Sequence, residues 1–139
     1  PGMPMIYTGQ PSGNHHRLEF FEKDVIDRVE NAPQKALYKG LNDLRAANRA
    51  LWSNEKGGPM VRLAADNDKV FACIRTKECP KHGNNTVIAI MNMSAEPQTV
   101  TLDLTNLAGE YNCLCGKKMS VESTQTFELT PWKYIILSK

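Results

Sequence analysis

One change of hydrophobic period divides this chain. Leu37, Leu41, Leu44, Ala47 and Leu51 recur at spacings of three and four, the stripe of a single amphipathic helix, and beyond Trp52 that period does not return. Short β-type runs take its place: Val61 to Ala64, Val70 to Arg75, Thr86 to Met93, Thr99 to Leu104, Tyr111 to Cys115, Thr124 to Leu129 and Lys133 to Leu137. Turn chemistry separates them, at Asp66 to Asp68, Gly83 to Asn85, Glu96 and Pro97, Gly109, Gly116 and Pro131. Six or seven antiparallel strands so close in sequence cannot leave an apolar face bare, so they are expected to close into a two-sheet sandwich.

The helix has its own signals. Asn31 is placed as N-cap and Pro33 in the first turn, which predicts a helix of about 19 residues and roughly 28 Å ending near Trp52. Ser53, Asn54, Gly57, Gly58 and Pro59 then break it, and a domain boundary is expected there, dividing the chain into 1–56 and 57–139. Ahead of the helix, Met3 to Thr8 is apolar on successive positions, as in a strand buried on both faces of a parallel sheet. Gly9 to Arg17 has loop composition, and Leu18 to Ile26 lacks a period, so a long irregular loop is expected to join strand and helix.

Composition narrows the function classes. With 139 residues, 41% of them hydrophobic, the chain has enough apolar surface to fold without a disulfide or metal staple, and disorder is excluded. A net charge of +2 from 17 basic and 15 acidic residues interleaved along the chain argues against nucleic acid or an anionic membrane as partner. No apolar run approaches the about 18 residues of a membrane span. Nothing at the start has the form of a secretory signal, and because the chain opens on Pro1, a preceding segment is expected.

The order of motifs carries a resemblance. Pro1-Gly2-Met3-Pro4-Met5-Ile6-Tyr7-Thr8-Gly9-Gln10 resembles the segment around the eighth barrel strand of the α-amylase superfamily, glycoside hydrolase family 13, where a Gly-x-Pro-x-Ile-Tyr-x-Gly-x-Glu pattern recurs. Phe20-Phe21-Glu22-Lys23-Asp24-Val25-Ile26-Asp27 is similar to the loop that follows that strand. Leu37-Tyr38-Lys39-Gly40-Leu41 through Leu44-Arg45 is similar to the last barrel helix with its Leu-x-x-Leu-Arg ending, and Asn85 to Asn92 to the sandwich after the barrel. Two positions depart from the pattern: Pro11 stands where the family has Glu, and Arg28 where Trp often follows Ile-Asp.

The resemblance implies a mainly β fold, a Greek-key antiparallel β-sandwich preceded by a strand-loop-helix remnant of a (β/α)8 barrel. Such a barrel takes about 250 residues, so this chain would be the tail of a longer enzyme acting on α-glucans. In that family the nucleophilic aspartate, the acid/base glutamate and the third aspartate belong to strands four, five and seven, all upstream of Pro1. Retaining hydrolysis needs two carboxyl groups roughly 5 Å apart. The chain alone is therefore expected to be inactive, its role the structural support of an upstream barrel.

Among individual residues, the resemblance places Tyr7, His15 and His16 at the active-site rim, where they would contact an α-glucan or maltooligosaccharide. Adjacent histidines make a poor chelate, and no catalytic residue, metal or cofactor is expected. Glu19, Glu22, Asp24 and Asp27 read as a solvated cluster paired with Arg17, Lys23 and Arg28 rather than as acid and base. Cys79, His82, Cys113 and Cys115 have three readings: a zinc site of irregular spacing, a disulfide from Cys79 to Cys113 or Cys115, and free thiols. Cys73 reads as a small core residue. Trp52 is expected to wedge between helix and sandwich, and Trp132 is either packing or a sugar platform with Tyr111 and Tyr134. Two alternatives to the enzyme tail remain: a stand-alone carbohydrate-binding module, and a protein-interaction module that self-associates through Met3 to Tyr7, whose barrel neighbours are absent.

Overall fold

The computed structural model describes residues 2–26, 30, 32–78 and 85–139. The N-cap expected at Asn31, the Cys79 and His82 ligands, the turn at Gly83 and Asn84, and Asp27 and Arg28 lie outside the described residues. One helix, α1 (Ala32–Ala47), is followed by β1 (Met60–Arg62), β2 (Val70–Lys77), β3 (Asn85–Asn92), β4 (Gln98–Asp103), β5 (Gly109–Cys113), β6 (Lys118–Val121), β7 (Thr124–Leu129) and β8 (Tyr134–Ser138). Six strands form one sheet in the order β1-β2-β3-β8-β5-β6, and β4 pairs with β7 in a second. Every pairing is antiparallel. This is the mainly β, two-sheet architecture that the run of short strands predicts.

The core lies between the sheets. On β2 the inward positions are Val70, Ala72 and Ile74; on β3, Ile88 and Ile90; across from them stand Val100, Leu102, Phe127 and Leu129 of the second sheet. Strand β3 is central and buried along most of its length, which explains why Val87, Ile88, Ala89 and Ile90 run apolar without alternating. Its last residue, Asn92, is a buried polar group that is fully used. Its Nδ2 donates to the carbonyls of Glu96 (2.7 Å), Thr130 (3.0 Å) and Leu129 (3.3 Å), and its Oδ1 accepts from Ser94 N (2.9 Å) and Oγ (2.8 Å). It thereby ties β3 to the turn before β4 and to the end of β7. Tyr111 is core rather than platform: it is buried, and its hydroxyl donates to Leu107 O at 2.7 Å.

Three local expectations are corrected. The helix ends at Ala47 rather than near Trp52, because Asn48 leaves helical geometry (φ −116°, ψ 110°) and a 3-10 turn, Arg49–Leu51, carries the chain on. The run Tyr111 to Cys115 stops at Cys113, since Cys113 to Gly116 forms a turn with Gly116 at φ 83°, and a further strand, β6, follows it. Met3 to Thr8 forms no ladder: Met3 is 85% and Met5 82% exposed, and the segment runs without strand partners. A strand needs a neighbour to satisfy its backbone groups, and among the described residues none lies beside this one.

The link from α1 to the sandwich is held by close backbone contact. A Cβ on Gly57 would stand 1.8 Å from Trp52 O, and one on Gly58 would stand 2.2 Å from Thr76 O, so only glycine lets this strap lie on β2. The breaker residues thus have a packing reason as well as a conformational one. No helix among the described residues is long and apolar enough to cross a membrane.

Candidate functional site

The loop before α1 is built around glycine and asparagine. Gly9 is left-handed (φ 88°), and a Cβ there would meet the Asn14 Cβ at 2.8 Å. Its carbonyl accepts from Ser12 N (3.0 Å) and Asn14 N (3.1 Å), closing the turn Gln10–Ser12. Tyr7 N donates to Gln10 Oε1 at 2.7 Å, and Gln34 Nε2 of α1 donates to Gln10 O at 2.9 Å, which anchors the loop to the helix. The Tyr7 ring itself is more than half exposed.

Asp24 organises the second half of this loop. Its Oδ2 accepts from Glu19 N (2.8 Å) and meets His16 Nε2 at 2.6 Å, while Oδ1 accepts from Val25 N (2.7 Å). The Glu19 amide, and after it the His16 ring, hold the Asp24 carboxyl below the usual carboxylate range. This corrects one expectation: the partner of Asp24 is His16, not Arg17 or Lys23. The adjacent histidines diverge, His16 turned onto Asp24 and His15 outward into solvent. Tyr7, His15 and His16 therefore share one exposed loop. An imidazole oriented by a carboxylate can position or donate a hydrogen bond to a ligand hydroxyl. Among the described residues, no group of three His, Cys, Asp or Glu side chains is placed to hold a metal ion.

The junction of α1 with the sandwich is a second polar cluster. Arg75, on the β2 face opposite the core, donates from Nε to Gly58 O (2.9 Å), from Nη2 to Trp52 O (2.8 Å) and from Nη1 to Leu51 O (3.3 Å). Arg45, from the last turn of α1, also donates to Leu51 O, and to Ser53 Oγ at 2.9 Å. Ser53 passes the bond to Gly2 O (3.0 Å), linking the start of the chain to the junction. Trp52 lies here half-buried, its Nε1 donating to Arg45 O (3.1 Å) and its ring under the Arg49 guanidinium at 5.1 Å. Burial, and then the Arg45 charge, lower the pKa of Arg75. A basic residue that directly follows the apolar run Phe71-Ala72-Cys73-Ile74 is the sequence signal for this clamp. No spacing rule joins His16 to Asp24.

Cys113 and Cys115 are paired with each other, their sulphurs 2.50 Å and their Cα atoms 5.1 Å apart across the β5–β6 turn. For these two residues that replaces the zinc reading, the free-thiol reading and the pairing with Cys79, because the turn holds the two sulphurs against each other. Cys73 is free and half-buried, and burial pushes its thiol pKa up. Trp132 is not packing. It is 62% exposed at a left-handed φ of 59°, and with Tyr134 it borders a cavity of about 490 Å³ between α1 and the sheet.

No protein-family model matches the chain. An α-amylase of Haloarcula japonica, MalA, is 28% identical over 140 residues, covering 91% of this chain but 19% of its own length. Among solved structures, the maltogenic α-amylase AmyB of Thermotoga neapolitana matches 98% of this chain with a TM-score of 0.76 at 20% identity, over 32% of its own length. An AmyP variant solved with maltotriose matches 82% with a TM-score of 0.56 at 25% identity, over 23% of its own length. The chain thus spans less than a third of each of these relatives. Its antiparallel fold is that of amylase C-terminal domains. In sequence and in fold, this chain is similar to the C-terminal part of α-amylase superfamily enzymes.

Proposed function

We propose that the chain serves as the C-terminal, non-catalytic portion of an α-amylase-like glycoside hydrolase acting on α-glucans. Residues 1–56 supply the last strand, loop and helix of the barrel, and 57–139 form the sandwich that holds them in place. One observation carries this reading: a well-packed sandwich is clamped through Arg45, Arg75 and Ser53 to an opening segment that exposes Met3 and Met5. An exposed apolar segment with no ladder partner among the described residues suits a stave of a barrel whose other staves are supplied elsewhere. In that setting Tyr7, His15 and His16 border the glucan cleft, and the Asp24 contact fixes the His16 ring toward it.

The direct test is an assay of maltooligosaccharide hydrolysis by the 139-residue chain. No turnover is expected. Turnover abolished by Asp24→Asn or Glu22→Gln would refute the non-catalytic assignment. A second reading, that of a glucan-holding module, draws on the exposed pair Trp132 and Tyr134. Maltotriose titration separates the two: a support domain gives no saturable Trp fluorescence change, whereas a binding module gives one that Trp132→Ala removes. Self-association through Met3 to Tyr7 is read from sedimentation, where a monomer at all concentrations rules it out.

A further inference from the structure

We propose that Arg45 and Arg75 form the receptor of a small oxyanion site, in a recess between α1, β2 and the opening segment. The two guanidinium groups come from different elements, yet both donate to the same oxygen, Leu51 O. That places two cations side by side. Neither has an ion-pair partner among the described residues, where the ion pairs are His16 with Asp24, Lys35 with Glu30 and Lys39 with Asp43.

Donor accounting points the same way. A guanidinium carries five N–H donors in a fixed plane. Arg45 uses two, on Leu51 O and Ser53 Oγ, and Arg75 uses three, on Leu51, Trp52 and Gly58 carbonyls. Spare donors therefore remain on both. A cavity of about 330 Å³ opens onto this pair, walled by Gly2 to Pro4, Leu41 and Leu51. The cavity is open to solvent, so the selectivity rests on the two adjacent charges and on the fork geometry of Arg, which matches the paired oxygens of a carboxylate or phosphate. Such an ion also relieves the repulsion between the two cations, which after burial is the second cause of the lowered Arg75 pKa. The site is independent of any role in glucan chemistry.

The test is a titration of the 139-residue chain with inorganic phosphate at pH 7, sodium chloride holding ionic strength constant. Arginine Nε–H resonances and thermal unfolding are followed together. Arg45 and Arg75 resonances should shift saturably with one midpoint, and Tm should rise by about 3–5 °C at saturation. Arg45→Gln should weaken the apparent affinity at least about tenfold, and Arg49→Gln should leave it unchanged. Acetate in place of phosphate reports the source: tighter acetate binding marks a receptor for a protein carboxylate, tighter phosphate binding a receptor for the free inorganic ion. Shifts that never saturate, or that appear on other arginines only, overturn the proposal. So does a response that Arg45→Gln leaves intact. Where Arg45→Gln fails to fold, the resonances of the unsubstituted chain decide alone.

Discussion

Replacing Arg75 by alanine tests how the helix is joined to the sandwich. The substitution removes three bonds from a cation to carbonyls, at 2.8, 2.9 and 3.3 Å. Hydrogen bonds from charged groups contribute about 1.5–3 kcal/mol each, which sets an upper limit of roughly 9 kcal/mol. Two effects reduce it. Leu51 O keeps its bond to Arg45, and removing Arg75 relieves the burial and the Arg45 repulsion that already disfavour its charge. Trp52 O and Gly58 O then lose their donor; Trp52 is half-buried, so water can compensate in part there, whereas Gly58 is buried. The expected cost is therefore about 2–3 kcal/mol, measured by urea denaturation at neutral pH. Arg75→Lys is the sharper variant, because a single ammonium cannot span three carbonyls, so it should recover less than half of the loss. Hydrogen exchange gives a local reading: the Gly58 amide, bonded to Ala50 O at 3.0 Å, should exchange faster in both variants. If Arg75→Ala unfolds within about 0.5 kcal/mol of the parent chain, the clamp contributes nothing and the glycine contacts alone hold the strap.

Other consequences follow from the polar groups. Asn92→Ala leaves three carbonyls and the Ser94 donors without their partner inside the sandwich, so a loss of about 3–4 kcal/mol is expected in the same denaturation assay. Asp24 and Asp103 have carboxyls held below the ordinary value, Asp24 by the Glu19 amide and then His16, Asp103 by the Thr105 hydroxyl and then its amide. For a lowered carboxyl the folded state binds its proton less readily than the unfolded chain. The stabilisation is thus present above about pH 4 and lost as pH falls through the folded-state values, which Asp24→Asn and Asp103→Asn should flatten in a pH series of Tm. Cys73, half-buried with its pKa raised, should react with iodoacetamide at pH 8 more slowly than it does in urea, as read by peptide mass mapping.

What could be read from the sequence divides along physical lines. Period and turn chemistry are local, and they located the seven expected strands within a residue or two, Thr124–Leu129 without error, and the start of α1 but not its end at Ala47. Strand β6 escaped because it is only four residues long: Met119 and Val121 alternate toward the core between Lys118 and Ser120, too brief a run to stand out from the turn beside it. The failure at Met3 to Thr8 is of another kind. Its residues carry the unbroken apolar run of a buried strand, but a ladder is a property of two segments, and among the described residues no second segment pairs with it.

The candidate sites follow the same division. Resemblance brought Tyr7, His15 and His16 into one loop, which their closeness in sequence already required, whereas the His16 contact to Asp24 depends on a loop path that no periodicity encodes. Arg75 is the instructive case. Seen in the sequence, it is one charge at the end of an apolar strand; seen in the fold, it faces away from the core and toward a strap made of Trp52, Gly57 and Gly58. The glycines were legible only as breakers because their further constraint, a Cβ-free approach of Gly57 to Trp52 O and of Gly58 to Thr76 O, is set by the path of the folded chain. Arginine and glycine are needed together: one closes the carbonyls of the strap, the other lets the strap come near enough to be closed. A sandwich joined in this manner takes its acceptors from backbone carbonyls that any residue could supply at positions 51 and 52, but its donors from the Arg45 and Arg75 side chains and its close approach from Gly57 and Gly58, so the junction is specific at these four positions.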